Sequence, residues 1–154
     1  MSLGKLDHYS IRTTRLAETE RFYTDVLGLE TGPRPEFKFP GIWLYNAGHA
    51  VVHVVGIDRA NPQPLIDYLG ESALKEADET GSIDHIAFVA QDLAGMKARF
   101  TAAGCAFRER MVPSMNLAQL FLEDPNGVTI ELNFPQESPD PQAPAAPVGT
   151  VVKA

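Results

Sequence analysis

The chain has 154 residues, of which 44% are hydrophobic, and a formal net charge of −7 at pH 7. This length fits one domain, or two half-size modules that share a core. Its Lys and Arg residues are not clustered, which excludes a nucleic-acid partner, and no apolar run approaches the roughly 18 residues of a membrane span. Because the N-terminus shows no secretory pattern either, we expect a cytoplasmic protein.

Residues 1–56 predict a first module with the order β-α-β-β-β. Its elements are a strand over 6–13, a helix over 16–27 and two strands over 42–45 and 50–55. Between them, the Pro- and Gly-rich segment 29–41 contains a weak strand over 34–40 that runs into an irregular loop. The helix has one apolar side and a C-terminal cap at Gly28. The last two strands flank a turn at Asn46-Ala47-Gly48-His49.

Residues 57–81 form a polar connection with a possible short helix around 65–69. This connection is longer than most in compact domains, which indicates either a linker between modules or a loop over a site.

Residues 82–134 predict a second module with the same order of elements. These are a strand over 83–89, a helix over 93–103 that ends at Gly104, and strands over 107–112, 117–122 and 128–134. Residues 135–154 are rich in Pro and Ala, which is typical of a poorly ordered tail. The predicted fold class is therefore α+β, with two βαβββ modules.

An internal repeat relates four residues of the two modules. His8 and His85 each follow an Asp in the first strand of a module and are 77 residues apart, and His53 and Glu131 lie in the two last strands, 78 residues apart. Burying imidazoles and a carboxylate among Val, Ile and Leu costs several kcal/mol per ion unless each group finds a partner. A divalent metal would satisfy all four groups, which predicts a metal site formed by His8, His53, His85 and Glu131.

Several of these motifs resemble the vicinal oxygen chelate superfamily, which includes glyoxalase I, extradiol dioxygenases and bleomycin-resistance proteins. The resemblance covers 6–134 and is carried by four runs: His8-x-x-x-Arg12, Arg21-Phe22-Tyr23-Thr24-Asp25-Val26-Leu27-Gly28-Leu29, Asp84-His85-Ile86-Ala87-Phe88, and Asp124-Pro125-Asn126-Gly127-x-x-Ile130-Glu131. It implies two modules that form an incomplete eight-stranded mixed β-barrel, the glyoxalase-like fold, and a homodimer.

The resemblance also implies a metal site with the same four ligands, His8, His53, His85 and Glu131, for Zn, Ni, Co, Mn or Fe(II). His53 departs from the pattern, because glyoxalase I commonly has Glu and methylmalonyl-CoA epimerase has Gln at this position. Arg12 matches an arginine that contacts a carboxylate of glutathione in glyoxalase I. Since Arg12 shares a strand face with His8, it could bind an anionic substrate group or a thiol conjugate.

Three functions follow as hypotheses. The first is a glyoxalase-like lyase or isomerase that chelates vicinal oxygens of a small substrate and stabilises an enediolate, with Glu131 as ligand and catalytic base. The second is an extradiol-type Fe(II) dioxygenase that cleaves a catechol, although Phe121 stands where those enzymes place a tyrosine. The third is a metal-free binding protein of the bleomycin-resistance type, in which Trp43 and Phe121 contact the ligand.

Overall fold

The computed structural model describes residues 6–75, 83, 85–135 and 151–152. The chain divides into two compact units, Met1–Ala77 and Asp78–Ala154. Each unit contains one mixed sheet with the module order β-α-β-β-β. The predicted α+β class with two βαβββ modules is therefore confirmed, and the closure of the modules into one barrel stays a prediction. Among the described residues, no helix is long and apolar enough to cross a membrane.

The first unit contains a four-stranded sheet. Its elements are β1 (Tyr9–Thr13), α1 (Leu16–Arg21), a π-helical continuation of α1 (Phe22–Val26), β2 (Glu30–Gly32), β3 (Gly41–Asn46), β4 (His49–Gly56), α2 (Gln63–Leu69) and a 3-10 turn (Glu71–Leu74). The strand order is β1-β4-β3-β2, and β1 runs parallel to β4 while the other pairs are antiparallel. Tyr23, Leu44 and Val52 are fully buried in this unit.

The predicted weak strand over 34–40 is wrong, because β2 lies earlier, at Glu30–Gly32. This short strand pairs with β3, where Gly32 lies opposite Trp43. A Cβ added at Gly32 would lie 2.5 Å from the ring of Tyr45, so glycine permits this close approach. The segment 34–40 contains prolines, which cannot donate a ladder hydrogen bond. The Arg34 guanidinium instead donates to the main-chain carbonyls of Phe39 and Gly41.

The predicted turn between β3 and β4 is confirmed as a two-residue connection. Ala47 and Gly48 both have positive φ, 49° and 81°, which is the backbone of a type I′ hairpin turn. Asn46 and His49 therefore pair as the last and first residues of the two strands.

Residues that follow β4 pack onto the first unit. Ile57, Leu65 and Ala73 form a hydrophobic cluster with Phe39 and Val55. The short helix predicted within this stretch is confirmed as α2. Apolar side chains on this connection therefore add a small core to the first unit.

The second unit contains a five-stranded sheet. Its elements are β5 (Ile86–Val89), α3 (Leu93–Ala102), β6 (Phe107–Val112), a 3-10 turn (Pro113–Met115), β7 (Leu117–Glu123), β8 (Thr129–Pro135) and β9 (Val151–Val152). The strand order is β5-β8-β7-β6-β9, with β5 parallel to β8. These elements confirm those predicted for 83–134. In the predicted tail, 136–150 and 153–154 lie outside the described residues, and β9 pairs with β6.

The internal repeat is matched by the backbone pairing of the two sheets. In the first unit Ser10 lies opposite His53, and in the second Ala87 lies opposite Glu131. Ser10 and Ala87 are again 77 residues apart, and each follows a histidine by two residues. Because alternate residues of a strand share a face, each unit directs its histidine and its partner to one side of its sheet.

We expect Leu44→Ala to lower the free energy of unfolding by about 2–5 kcal/mol, because it leaves a cavity in the first unit. Urea denaturation followed by circular dichroism would measure the change. Leu69→Ala is the matched control, since 43% of the Leu69 side chain is exposed against 0% for Leu44, and it should cost less than about 1 kcal/mol. Equal losses for the two variants would contradict this core assignment.

Candidate functional site

In the first unit, three aromatic rings form a stack on one face of the sheet. Trp43 lies opposite His53 in the β3–β4 ladder, and their rings are parallel with centroids 3.9 Å apart and planes at 5°. The ring of His8 stacks on His53 with centroids 3.7 Å apart and planes at 17°. His53 therefore lies between the two other rings, and the structure brings together two of the predicted metal ligands.

One nitrogen of the His8 ring, Nδ1, has a defined partner. His8 Nδ1 lies 2.6 Å from Asp7 Oδ2. A carboxylate that accepts the Nδ1 proton fixes the tautomer and leaves Nε2 with a free lone pair, which is the usual arrangement behind a metal-bound histidine. Asp7 was not among the residues selected from the sequence, although the recurrence of its Asp-His pair as Asp84-His85 was a signal for it.

The environment of His53 favours its neutral form. Burial lowers the pKa of His53 below its ordinary value, and the neighbouring His8 lowers it further, while a backbone hydrogen bond with Ala50 and the charge of Asp7 act in the opposite direction. Neutral imidazole is the form that binds metal ions.

A cleft of about 450 Å³ lies beside the His53 ring. His53, Trp43 and His49 are among the residues that line it.

In the second unit, the equivalent positions form a histidine–carboxylate pair. His85 Nε2 lies 3.0 Å from Glu131 Oε2. Glu131 is buried, with 6% of its surface exposed, and a buried carboxylate is stable only when its oxygens have partners. Its second oxygen, Oε1, accepts a hydrogen bond of 2.8 Å from the Gln119 amide. Both oxygens are thus held.

Gln119 is a further residue of the candidate site, and it was not selected from the sequence. Its Nε2 also donates to Asn133 Oδ1 at 2.9 Å, and its Oε1 accepts from Arg110 Nε at 2.8 Å. With donors and acceptors assigned in this way, the side-chain amide has one orientation that satisfies all three neighbours. The available signal was that Gln119 is the one polar residue among Leu117–Leu122.

Phe121 lies opposite Glu131 in the β7–β8 ladder, as Trp43 lies opposite His53. Its ring meets that of His85 edge-on at 6.3 Å. The two predicted substrate-binding aromatics therefore occupy equivalent positions beside predicted metal ligands, and their contact with a substrate stays a prediction.

Arg12, the predicted anion-binding residue, is on β1 and is exposed. Its Nη1 donates to the main-chain carbonyl of Ser72, near the end of the first unit. This hydrogen bond holds one end of the guanidinium group. The role of Arg12 in binding an anion stays a prediction.

The donor atoms suit a divalent metal in type. Neutral imidazoles and a carboxylate are ligands for Zn, Ni, Co, Mn and Fe(II). Each unit brings two of the four predicted ligands together, His8 with His53 and His85 with Glu131. Within the ranges that the structure describes, no three or more His, Cys, Asp or Glu side chains form a group that could hold a metal ion. The four-ligand set remains a prediction.

Comparison with known proteins identifies relatives of this chain. Residues 5–132 match the model of the Glyoxalase/Bleomycin resistance protein/Dioxygenase superfamily. A curated relative, "Glyoxylase I 4" of Arabidopsis thaliana, is 27% identical over 136 residues, which are 86% of this chain and 71% of the relative.

Two solved structures show the same fold at low sequence identity. Lactoylglutathione lyase from Agrobacterium tumefaciens has a TM-score of 0.58 and 18% identity, with 87% of this chain and 96% of that chain covered. The antibiotic-binding protein TnmS3 from Streptomyces sp. CB03234 has a TM-score of 0.60 and 17% identity, with 88% and 98% covered. The fold is thus shared with an enzyme and with a binding protein.

We expect His53 in chelator-treated protein to titrate below its ordinary pKa of 6.5, measured by NMR of the ring protons. Because the folded state disfavours the charged ring, the stabilising contribution is present above the unfolded pKa and is lost as the pH falls towards the folded pKa. Acidification should therefore cost the wild type more unfolding free energy than it costs His53→Gln.

The variant His8→Gln serves as the control for the cause of this shift. It removes the neighbouring charge, so the pKa of His53 should rise towards its ordinary value. A His53 that titrates at or above 6.5 in the wild type would contradict the neutral ring.

Proposed function

The chain belongs to the Glyoxalase/Bleomycin resistance protein/Dioxygenase superfamily, and from that premise we propose that it is a metal-dependent glyoxalase-like enzyme of the lyase or isomerase type. The observation that carries the proposal is the buried carboxylate of Glu131, held at one oxygen by His85 and at the other by Gln119. A carboxylate kept out of water beside an imidazole is typical of metal ligation or proton transfer.

In this proposal, His8, His53, His85 and Glu131 hold one divalent ion, which is Zn, Ni, Co, Mn or Fe(II). When bound, such an ion supplies Lewis acidity towards the adjacent oxygens of a substrate. The chain supports this role by keeping His53 neutral and by pairing His8 Nδ1 with Asp7.

Glu131 is also the proposed proton carrier. Gln119 restrains Oε1, and His85 Nε2 lies 3.0 Å from Oε2. We assign the exchange of a proton with the substrate carbon to Oε2, the oxygen next to this imidazole. Gln119 is in turn restrained by Arg110, which reduces the freedom of the carboxylate to rotate away. Fixed geometry of this kind is the chain's own contribution to the rate.

The proposed substrate is a small molecule with vicinal oxygens, and an anion or a thiol conjugate is the proposed class. Trp43 and Phe121 would contact its apolar part, and Arg12 its anionic part. The Arabidopsis relative supports a glyoxalase-type activity through its name. A cytoplasmic homodimer completes the proposal, and a monomeric mass in light scattering would contradict the dimer.

A second candidate is a metal-free binding protein, and the ring stack of the first unit favours it. Imidazole lone pairs lie in the ring plane, so two rings in parallel stacking 3.7 Å apart are arranged as a platform more than as convergent ligands. Trp43 extends that platform. The fold similarity to TnmS3 is in keeping with this candidate.

We expect protein purified without added metal, or titrated with Zn, Ni, Co, Mn and Fe(II), to hold about one divalent ion per chain, measured by mass spectrometry of the metal. The variants His53→Ala, His85→Ala and Glu131→Gln should each lower metal affinity by about tenfold or more, since each removes one ligand. His49→Ala is the matched control, because this histidine lies at the start of β4 outside the proposed set.

Each outcome of the metal experiment favours one function. No ion after purification and titration would contradict the enzyme and favour the metal-free binding protein. An ion retained in His53→Ala, together with Fe-dependent cleavage of a catechol, would contradict the lyase or isomerase and favour the dioxygenase. The proposal would be supported if the wild type holds the metal and isomerises a 2-oxoaldehyde–thiol adduct, and if Glu131→Gln loses this activity.

A further inference from the structure

Two arginines of β6 lie over one aromatic ring in the second unit. Arg108 and Arg110 are alternate residues of the strand and therefore share a face. The Arg108 guanidinium carbon is 4.7 Å from the centroid of the Phe121 ring, and that of Arg110 is 5.0 Å from it. Two guanidinium groups are thus gathered at one exposed place on the sheet.

Neither arginine has an acidic partner in the part of the chain that the structure describes. Arg110 uses Nε for Gln119, and its remaining N–H groups, like those of Arg108, make no hydrogen bond to another described residue. The acidic residue between them, Glu109, points to the other face and pairs with Lys97 at 2.6 Å. With two guanidiniums at the Phe121 ring, the exposed surface around them is locally positive in a chain of net charge −7.

The internal repeat does not account for Arg108. Arg108 lies opposite Phe121 in the second unit, and the corresponding partner of Trp43 in the first unit is Gly32. The first unit therefore covers its aromatic ring without any cation at this position. Since the framework tolerates glycine there, stability of the module does not require a charge, which points to a task specific to the second unit.

We propose that Arg108 and Arg110 bind an oxyanion of the substrate, a carboxylate or a phosphate, between their guanidinium groups. The planar N–H fork of arginine matches the two oxygens of such a group. The Phe121 ring contacts both guanidiniums through cation–π interactions, which restrain their positions. This inference rests on the proposed function, because it gives the molecule that reacts at Glu131 an anion-binding position in the second unit, in addition to the one proposed at Arg12.

The site is connected to Glu131 by direct contacts. Arg110 donates to Gln119, and Gln119 donates to Glu131. An oxyanion bound at the arginines therefore lies two side chains away from the proposed proton carrier, within the same sheet face. Substrates with an acidic group at one end and vicinal oxygens at the other fit this arrangement.

The test uses NMR of the arginine Nε–Hε groups in the full chain as purified. Inorganic phosphate and acetate are titrated separately, each against sodium chloride at equal ionic strength. We expect saturable shifts at Arg108 and Arg110, and the anion with the higher affinity identifies the oxyanion as phosphate or carboxylate. Arg99, exposed on α3, is the internal control and should shift only as it does in chloride.

The variants Arg108→Gln and Arg110→Gln should each weaken binding of the preferred anion by about tenfold or more, the usual effect of losing charge-assisted hydrogen bonds. Arg99→Gln should leave binding unchanged. Shifts that match those in chloride, or that appear equally at Arg99, would overturn the proposal, as would unchanged affinity in either β6 variant.

Metal content keeps this result separate from the proposed function. Arg108→Gln should retain the metal content of the wild type, because Arg108 is not a proposed ligand and, unlike Arg110, makes no hydrogen bond to Gln119. Metal present with no specific anion binding would overturn the oxyanion site alone. Specific anion binding in a chain that takes up no metal would contradict the enzyme, and would overturn the assignment of this anion to a substrate that reacts at Glu131.

Discussion

The candidate site depends on the parallel pairing of the first and last strands in each unit. Because β1 pairs with β4 and β5 with β8 in equivalent registers, one histidine and one partner meet on the same sheet face in each unit. A shift of one residue in either ladder would turn these side chains to the opposite face, where the apolar core lies. The burial of residues such as Val52 and Ile130 therefore also determines the position of the polar groups.

The two pairs have the same position and different chemistry. In the first unit, two imidazoles stack with Trp43, and burial keeps His53 neutral. In the second, a buried carboxylate takes one hydrogen-bond partner at each oxygen. The two units therefore offer different donor atoms, imidazole nitrogens in the first and an imidazole nitrogen with a carboxylate oxygen in the second. This difference also leaves the first unit suited to contact with a planar group.

Sequence patterns were sufficient for most of the fold and for relating the four candidate site residues through the repeat. Alternation and turn residues located the strands of the second module, and the repeat related His8 to His85 and His53 to Glu131. The error at β2 has a local cause: Glu30–Gly32 is too short for any periodicity, and its pairing depends on the close approach of Tyr45 to Gly32. The surroundings of Glu131 were not predicted because Gln119 and Arg110 lie on different strands.

The sequence by itself determined the two modules, their order of elements and the four residues in related positions, because periodicity and repetition are properties of the chain. Only the tertiary structure decided which neighbours those residues have. Hydrogen bonds and ring contacts join side chains from separate strands, and their partners follow from ladder registers that no local pattern specifies. The internal repeat of the sequence thus identified His53 and Glu131 as related positions. The folded sheets determined that Trp43 stacks on His53 and that Gln119 donates to Glu131.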